Sequence, residues 1–258
     1  MTDTIERFSN RVANYVKYRP GYPRAVIEHL TAKCGLTRDL VVADVGCGPG
    51  QSSRMFLENG NPVIGVEPNE AMRSAAREYL GGFENFTVVD GTSEDTTLPH
   101  ASVDFIVAAQ AFHWFEPDKT RREFERILKP DGCIVLIWNE RQLDTTPFLI
   151  DYEKLLLKYA NDYTKVRHEN VDALKLDEFF QTNYSSAVFE NVQVHDFCGL
   201  KGRMFSSSYM PSETDSNATQ LSDELRELFA KHERNGRISI IYDTRVYYSL
   251  PDNYGSKG

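Results

Sequence analysis

The stretch Val41-Val42-Ala43-Asp44-Val45-Gly46-Cys47-Gly48-Pro49-Gly50 decides the fold of this chain, because a short apolar strand ends there at an acid and leads into a glycine loop. A helix-like stretch, residues 51–59, follows at once. Glycines let a backbone turn sharply and let a ligand approach where a Cβ atom would block it. The start of a helix presents N–H groups without partners and a partial positive charge, which suits an anionic group. The stretch therefore predicts a strand, a loop and a helix that bind a ligand.

An acidic residue follows the next predicted strand. Seventeen residues after Gly50, a second apolar run, residues 62–66, ends in Glu67. An acid at the tip of the second strand, about 20 residues beyond the loop, is placed to accept hydrogen bonds from both hydroxyls of a ribose. The two features together indicate a site for a nucleoside cofactor.

The spacing of the glycines bears on the identity of that cofactor. A dinucleotide fingerprint has the spacing G-x-G-x-x-G, whose third glycine lets the helix pack closely beneath a pyrophosphate. The loop here has the spacing G-x-G-x-G, and Gln51 follows it. An NAD-dependent oxidoreductase is therefore an alternative, but this sequence has neither the third glycine of that fingerprint nor a recognisable hydride-transfer site.

The loop from Asp44 to Gly50 resembles the first motif of the class I S-adenosylmethionine-dependent methyltransferases. The resemblance continues in the order of that family through residues 65–72, 90–99, 102–114 and 126–136. It implies an enzyme that uses S-adenosyl-L-methionine as its cofactor. It also implies an α/β fold, with a Rossmann-like, seven-stranded, mostly parallel sheet, an antiparallel last strand, helices on both faces and a helical lid.

Within this family the chain is similar to the type 11 branch, and there to the trans-aconitate methyltransferase-like small-molecule group. Residues 15–23, 110–115 and 206–209 carry this similarity. It implies methyl transfer to a small acceptor that bears a carboxylate or another oxygen. An NAD-dependent oxidoreductase and a non-catalytic cofactor-binding module of the same fold are the alternatives, and an RNA methyltransferase is disfavoured by the acidic charge.

The resemblance also implies the residues of the site. His113 and Trp114 are the expected catalytic residues, because they follow the fourth strand, where the acceptor of the family meets the methyl group. The expected cofactor-binding residues are Tyr18, Arg19, Asp44, Gly46, Cys47, Gly48, Gly50, Glu67, Pro68, Met72, Gly91, Ser93, Glu94, Gln110 and Ala111. No metal ligand is expected.

The chemistry of the acceptor decides what His113 does. A phenol, alcohol or amine would benefit from a general base, for which a histidine with a pKa near 6.5 is a candidate. A carboxylate acceptor is already ionised at neutral pH and needs no base. Since arginine binds carboxylates through two parallel hydrogen bonds, a second set of residues is suited to hold such an acceptor. That set comprises Arg19, Arg141, Arg203 and Tyr209.

Composition and charge limit the possible partners. The 258 residues carry a formal net charge of −9 and a pI of about 5.2, which argues against nucleic-acid and anionic-membrane partners. The four cysteines have no metal-ligand spacing and indicate thiols in a reducing compartment. The N-terminus has no apolar core, and no apolar run approaches 18 residues, the length of a membrane helix. We expect a cytoplasmic enzyme with a small-molecule partner, of undetermined oligomeric state.

The length fits a single domain, and the resemblance implies one methyltransferase domain over residues 1–258. Its expected parts are an N-terminal helical cap over 1–33, a cofactor-binding core over 34–140, lid helices with the sixth strand over 141–235, and a last strand over 236–250. Strands are predicted at 41–45, 62–66, 86–89, 103–108, 133–138, 187–197 and 238–250. Helices are predicted at 23–33, 51–59, 69–80, 117–128, 148–160, 171–182 and 217–233.

Overall fold

The computed structural model of the chain describes residues 16–160, 173–181, 184–207, 209–212 and 214–249. The helices are α1 Ala25–Cys34, α2 Gln51–Asn59, α3 Glu70–Tyr79, α4 Pro117–Ile127, α5 Pro147–Tyr159, α6 Ala173–Phe180, α7 Phe197–Phe205 and α8 Ala218–His232. The strands are β1 Val42–Val45, β2 Val63–Val66, β3 Phe86–Val89, β4 Val103–Ala109, β5 Leu128–Arg141, β6 Tyr184–His195 and β7 Ile238–Ser249. None of these helices is long and apolar enough to cross a membrane.

The described strands form a seven-stranded sheet in the order β3-β2-β1-β4-β5-β7-β6. Strand β1 pairs in parallel with β2 and with β4, so that Asp44 lies opposite Gly65 on one side and Val107 on the other. The sheet is mostly parallel and its last strands are antiparallel, which confirms the predicted fold class. Because the strand order reverses beside β1, the carboxyl ends of β1, β2 and β4 form the edge at which such sheets bind ligands.

Apolar side chains from the central strands alternate between two hydrophobic clusters, one on each face of the sheet. Val42 packs in a cluster with Val26 of α1 and Phe56 of α2. The next residue, Ala43, packs in the other cluster with Phe124 of α4. Strands that are buried on both faces are therefore apolar without interruption, as the sequence of β1 indicates.

The chain divides into two compact units. One contains the described residues of Gly21–Asn139, Glu169–Phe189 and Thr244–Gly258 and carries both clusters of the central sheet. The other contains those of Met1–Pro20, Glu140–His168 and Glu190–Asp243. Its own cluster includes Leu149 of α5, Met204 of α7 and Leu221 of α8. That the chain is one domain stays a prediction, and the first part of the predicted cap, residues 1–15, lies outside the described residues.

Several element boundaries differ from the sequence prediction, most of them by one to three residues, and two of the differences are informative. Strand β5 begins at Leu128, directly after α4, instead of at residue 133. Strand β6 ends at His195, and the helix α7, which the sequence did not predict, begins at Phe197. Asp196 caps this helix by accepting the backbone N–H of Gly199 at 2.8 Å. The glycines inside α7 lower its helix propensity, which is why its sequence does not indicate a helix.

Candidate functional site

The glycine loop after β1 is tightly packed at one end and open in its middle. A Cβ atom on Gly46, whose φ is 72°, would lie 2.7 Å from the Cβ atom of Ala111. Apart from its own chain neighbours, no heavy atom of the described residues lies within 4 Å of a Cβ atom built on Gly48. Helix α2 begins directly after Gly50 without a side-chain cap. The loop therefore leaves space at Gly48 in which the backbone and the start of α2 can approach a ligand.

Asp44, at the end of β1, is a buried carboxylate with one oxygen that has no partner. Its Oδ2 accepts hydrogen bonds from the hydroxyls of Ser52 at 2.7 Å and Ser53 at 2.6 Å. Within the described part of the chain, its Oδ1 is buried and has no hydrogen-bond partner. Burial raises the pKa of Asp44 to about 6, although the two hydroxyls and the backbone N–H of Ser53 oppose this shift. A buried acceptor without a donor costs free energy, so the site fits a ligand that brings a cationic donor.

Glu67 lies at the tip of β2 and faces the glycine loop. One carboxylate oxygen accepts the backbone N–H of Gly48 at 3.0 Å, and the other accepts that of Asn69 at 2.9 Å. Burial raises the pKa of Glu67, while the two N–H groups and Arg73 lower it in part. Because each carboxylate oxygen has two lone pairs, the side chain can still accept two hydroxyl groups.

Arg73 of α3 holds the tip of β2 in place, and the sequence prediction did not include it. Its buried guanidinium donates to the backbone oxygen of Glu67 at 2.7 Å and to the carboxylate of Asp90 at 2.9 Å. It also pairs with Glu70, three residues earlier on the helix. That spacing is typical of an exposed ion pair on a helix surface, so the sequence carried no signal that Arg73 is buried.

Ser93 and Glu94, the expected adenine-binding pair, are tied to α4. The buried hydroxyl of Ser93 accepts a hydrogen bond from the hydroxyl of Thr120 at 3.0 Å. Glu94 accepts the backbone N–H of Glu116 at 3.2 Å. Burial raises the pKa of Glu94, but this N–H and neighbouring hydroxyls outweigh it, so the pKa lies below its usual value. Both side chains are therefore held in place by the protein before a ligand binds.

The other expected cofactor-binding residues of this unit differ in exposure. Met72, Cys47 and Gly91 are buried, whereas Pro68 is exposed. A Cβ atom on Gly91 would lie 2.8 Å from the backbone oxygen of Thr96, so this position is closely packed. Burial raises the pKa of the Cys47 thiol well above its usual value, which makes it an inert side chain.

Gln110, directly after β4, has a strained backbone and a buried acceptor. Its φ of 55° is in the left-handed region, which residues other than glycine rarely adopt. Its amide donates to the backbone oxygen of Asn139 at 3.0 Å, while its Oε1 is buried without a partner among the described residues. Strain of this kind persists where the surrounding structure enforces it, and it is concentrated at functional sites. Gln110 therefore adds a second buried acceptor to the edge that carries Asp44.

His113 and Trp114 form a short 3-10 helix, Phe112–Trp114, beyond this edge. The two rings lie 4.7 Å apart between centroids, and both side chains reach solvent. Desolvation by the surrounding protein, together with the charge of Lys175, lowers the pKa of His113 to about 4. His113 is therefore neutral at neutral pH and is a weaker base than an ordinary histidine. Phe112, in contrast, is buried against Phe179, 4.6 Å away between centroids.

Tyr18 and Arg19 lie in the other compact unit, where they make contacts of their own. Arg19 donates to the backbone oxygen of Ser206 at 3.1 Å, and a Cβ atom on Gly202 would clash with the ring of Tyr18. Their roles in cofactor binding stay predictions.

The structure thus brings Asp44, Glu67 and Gln110 to one edge of the sheet, at the ends of neighbouring strands. Gly46 packs closely against Ala111. The backbone N–H of Gly48 donates to Glu67. The described residues contain no group of three His, Cys, Asp or Glu side chains that could hold a metal ion. The arrangement can bind a ligand that carries a cationic donor and hydroxyl groups.

Comparisons with known proteins find similarity to methyltransferases. The model of a family described as a methyltransferase domain, type 11, matches residues 43–136. An uncharacterized methyltransferase-like protein of Schizosaccharomyces pombe is 25% identical over 248 residues, which are 95% of each chain. An uncharacterized methyltransferase of Mycobacterium tuberculosis is 33% identical over 134 residues, so the chain spans about half of that relative's length, 52%.

A solved structure supports the fold. The structure of a protein of Anaeromyxobacter dehalogenans, named as a type II methyltransferase, superimposes with a TM-score of 0.68. The match covers 91% of this chain and 99% of that one, at 22% sequence identity. At this identity the likeness concerns the fold alone.

Proposed function

Since the chain is an S-adenosylmethionine-dependent methyltransferase of the class I, type 11 branch, we propose that it methylates a small acceptor through a carboxylate or another oxygen. The family and the fold imply that the chain binds S-adenosylmethionine. Nothing in the comparisons supports an NAD-dependent oxidoreductase or a module that has lost its activity.

The observation that supports the cofactor part of the proposal is the buried Oδ1 of Asp44, which has no hydrogen-bond partner in the described chain. It lies beside the glycine loop and fits the ammonium group of the cofactor. Glu67 fits the ribose hydroxyls, because both of its oxygens are held by backbone N–H groups and retain a lone pair each. When bound, S-adenosylmethionine supplies an electrophilic methyl group for in-line attack by a nucleophile, with S-adenosylhomocysteine as the leaving group.

Other residues of the same edge serve the proposed cofactor site in supporting roles. Ser93 and Glu94 fit its adenine end, and Gln110 and Ala111 fit its methionine end. The hydrogen bonds from Thr120 and the backbone of Glu116 fix the first pair before binding. A preorganised site of this kind lowers the entropic cost of binding and orients the reacting group.

A carboxylate acceptor, which needs no base, is compatible with the lowered pKa of His113. A group with a pKa of about 4 is a poor acceptor for the proton of an alcohol or a protonated amine. A carboxylate is ionised at neutral pH and attacks without losing a proton. His113 and Trp114 then act by positioning the acceptor and by excluding water, and alignment carries the acceleration.

The charge of the chain supports a small-molecule partner. The formal net charge of −9 disfavours nucleic acids and anionic membranes, whose binding proteins present basic surfaces. We therefore propose a small acid as the acceptor, with no nucleic-acid or membrane partner, and the cytoplasm as the location.

The experiment that tests this proposal is a methyl-transfer assay with methyl-labelled S-adenosylmethionine. Small carboxylic acids are offered beside the amides and alcohols of the same carbon skeletons, and products are identified by mass spectrometry. We expect label on the acids, and less label with Glu67→Ala at cofactor concentrations below saturation, while Glu58→Gln, which changes an exposed acid on α2, keeps full activity. Label on amines or alcohols alone would contradict the carboxylate assignment.

A further inference from the structure

Thr120 of α4 has a buried hydroxyl whose partner lies outside its own helix. The residue is fully buried, on the face of α4 whose Phe124 and Ile127 belong to an apolar cluster of the central sheet. A threonine inside a helix can bond the carbonyl four residues earlier, yet Thr120 donates to the hydroxyl of Ser93 at 3.0 Å. Ser93, in the loop after β3, is itself buried. Because a buried hydroxyl without a partner costs free energy, this bond stabilises threonine at a position that otherwise suits an apolar side chain.

Other contacts hold the same loop against α4. Glu123, one turn further along the helix, accepts the backbone N–H of Thr96 at 2.8 Å and its hydroxyl at 2.5 Å. Arg126 pairs with Glu123 at 2.7 Å and donates to the backbone oxygen of Leu98 at 2.8 Å. The loop is therefore anchored by these contacts, and the bond at Ser93 is not required to hold it in place.

Ser93 connects Thr120 to the carboxylate of Glu94. Because Thr120 donates to the oxygen of Ser93, the single proton of the Ser93 hydroxyl is directed away from Thr120. Burial raises the pKa of Glu94, but the backbone N–H of Glu116 and neighbouring hydroxyls, that of Ser93 included, hold it below its usual value. The three side chains thus form a chain of hydrogen bonds in which each donor strengthens the next. Glu94 is in consequence an ionised group that only accepts hydrogen bonds at neutral pH.

A group that only accepts hydrogen bonds distinguishes adenine from its deaminated form. Adenine carries an amino group, a donor, where hypoxanthine carries a carbonyl oxygen. An ionised carboxylate accepts a bond from the first and repels the second. Glu94 keeps lone pairs for such a bond, since the backbone N–H of Glu116 takes up one of about four.

We propose that Thr120, acting through Ser93, sets the preference of the site for an adenine base over its deaminated form. The inference rests on the proposed function, because it requires the adenine end of the cofactor at Ser93 and Glu94. Thr120 is a positioning residue, since it acts on the ligand through Ser93.

Calorimetric titration of the full-length protein with S-adenosylhomocysteine and with S-inosylhomocysteine, its deaminated form, tests this proposal. The readout is the ratio of the two dissociation constants. We expect the wild type to prefer the adenosyl ligand roughly 10- to 100-fold, the range for a hydrogen bond to a charged group. Thr120→Val, which keeps the shape and removes the hydroxyl, should lower this ratio about fivefold, as for the loss of one hydrogen bond. Thr120→Ser, which keeps the hydroxyl, should preserve the ratio.

A second variant of α4 separates this role from anchoring of the loop. Glu123→Gln removes the charge that pairs with Arg126 and holds Thr96. We expect it to change the affinity for both ligands by the same factor, which leaves their ratio as in the wild type. A ratio that falls as far in Glu123→Gln as in Thr120→Val would overturn the proposal in favour of general loosening of the loop.

The remaining outcomes distinguish this inference from the proposed function. Failure of the wild type to bind either ligand would overturn the cofactor assignment and this inference with it. Binding of S-adenosylhomocysteine without preference over the deaminated form, or with the same preference in Thr120→Val, would overturn this inference alone. If Thr120→Val does not fold, Thr120→Ala removes the same hydroxyl, and an unchanged ratio in that variant would have the same meaning.

Discussion

The carboxylate of Glu67 accepts the backbone N–H of Gly48 at 3.0 Å, which ties the tip of β2 directly to the glycine loop after β1. The acid and the loop therefore form one unit before any ligand is present. The loop keeps open space at Gly48, and the acid keeps one lone pair on each oxygen. This relationship is the basis of the cofactor site that we propose.

Replacement of Glu67 should weaken the binding of S-adenosylhomocysteine. In Glu67→Ala the ribose loses a charge-assisted acceptor, which corresponds to about 1.5–3 kcal/mol of binding free energy. Calorimetric titration measures the loss, and Glu58→Gln serves as the matched control because Glu58 is an exposed acid of α2. An unchanged affinity in a folded Glu67→Ala variant would remove the ribose assignment.

Replacement of Asp44 should change stability in a pH-dependent way. Its pKa is raised to about 6 in the folded protein, so the folded state holds the proton more tightly than the unfolded state. The associated stability is present at low pH and is lost as the pH rises through about 6. Asp44→Asn should thus gain about 2 kcal/mol of unfolding free energy relative to wild type between about pH 4 and pH 8. Urea denaturation across that range measures it, and a constant difference between the two proteins would refute the assignment of a raised pKa.

The affinity for S-adenosylhomocysteine should itself depend on pH. If its ammonium group binds the ionised Asp44, affinity should rise by about tenfold per pH unit below about pH 6 and level off above it. Asp44→Asn should bind more weakly and lose this dependence. Titrations at matched ionic strength decide the question, and a dependence that persists in Asp44→Asn would assign it to another group.

His113 should not act as a general base if the acceptor is a carboxylate. Its pKa of about 4 predicts that kcat at saturating cofactor and acceptor does not change between about pH 6 and pH 8 through titration of this ring. His113→Gln should lower kcat by less than about tenfold, because positioning is affected but no proton transfer is lost. A loss of about a thousandfold, with a wild-type profile that rises through pH 6.5, would assign it the role of a base.

Arg141 and Arg203, whose side chains are both buried, should differ in their contribution to stability. Arg141→Met leaves Glu153 buried without its cation, which costs about 3–5 kcal/mol. Arg203→Met removes a buried charge that no described carboxylate pairs with, so its effect should stay within about 1 kcal/mol. Chemical denaturation of both variants tests this contrast. Equal destabilisation would make Arg203 a structural residue.

The sequence predicted most of the central sheet because its signal is local. The apolar run before Asp44, the glycines after it and the acid at Glu67 each follow from short stretches of chain, and helix α2 has the predicted bounds 51–59. Helix α7 was missed because its glycines obscure the pattern of a helix. Those glycines are explained only by packing, as the ring of Tyr18 against Gly202 shows.

The sequence predicted which strand ends form the candidate site. It did not predict the hydrogen bonds between side chains that hold the site in place. The convergence of Asp44 and Glu67 follows from parallel strands that end at one edge. The buried hydrogen bond from Arg73 to the backbone oxygen of Glu67 depends on how α3 packs against the tip of β2, which the sequence spacing does not reveal. The lowered pKa of His113 likewise arises from desolvation by the surrounding protein and, in smaller part, from Lys175, which is remote in sequence.

Thermal unfolding with added ligands tests the central claim most directly. S-adenosylhomocysteine, S-adenosylmethionine and NADH are added separately to the wild-type protein and to Glu67→Ala. We expect the two adenosyl ligands alone to stabilise wild type, by roughly 2.7 kcal/mol at 100 times the dissociation constant, and to stabilise Glu67→Ala less at the same concentration. Stabilisation by NADH alone, or equal stabilisation of the two proteins by S-adenosylhomocysteine, would contradict the account.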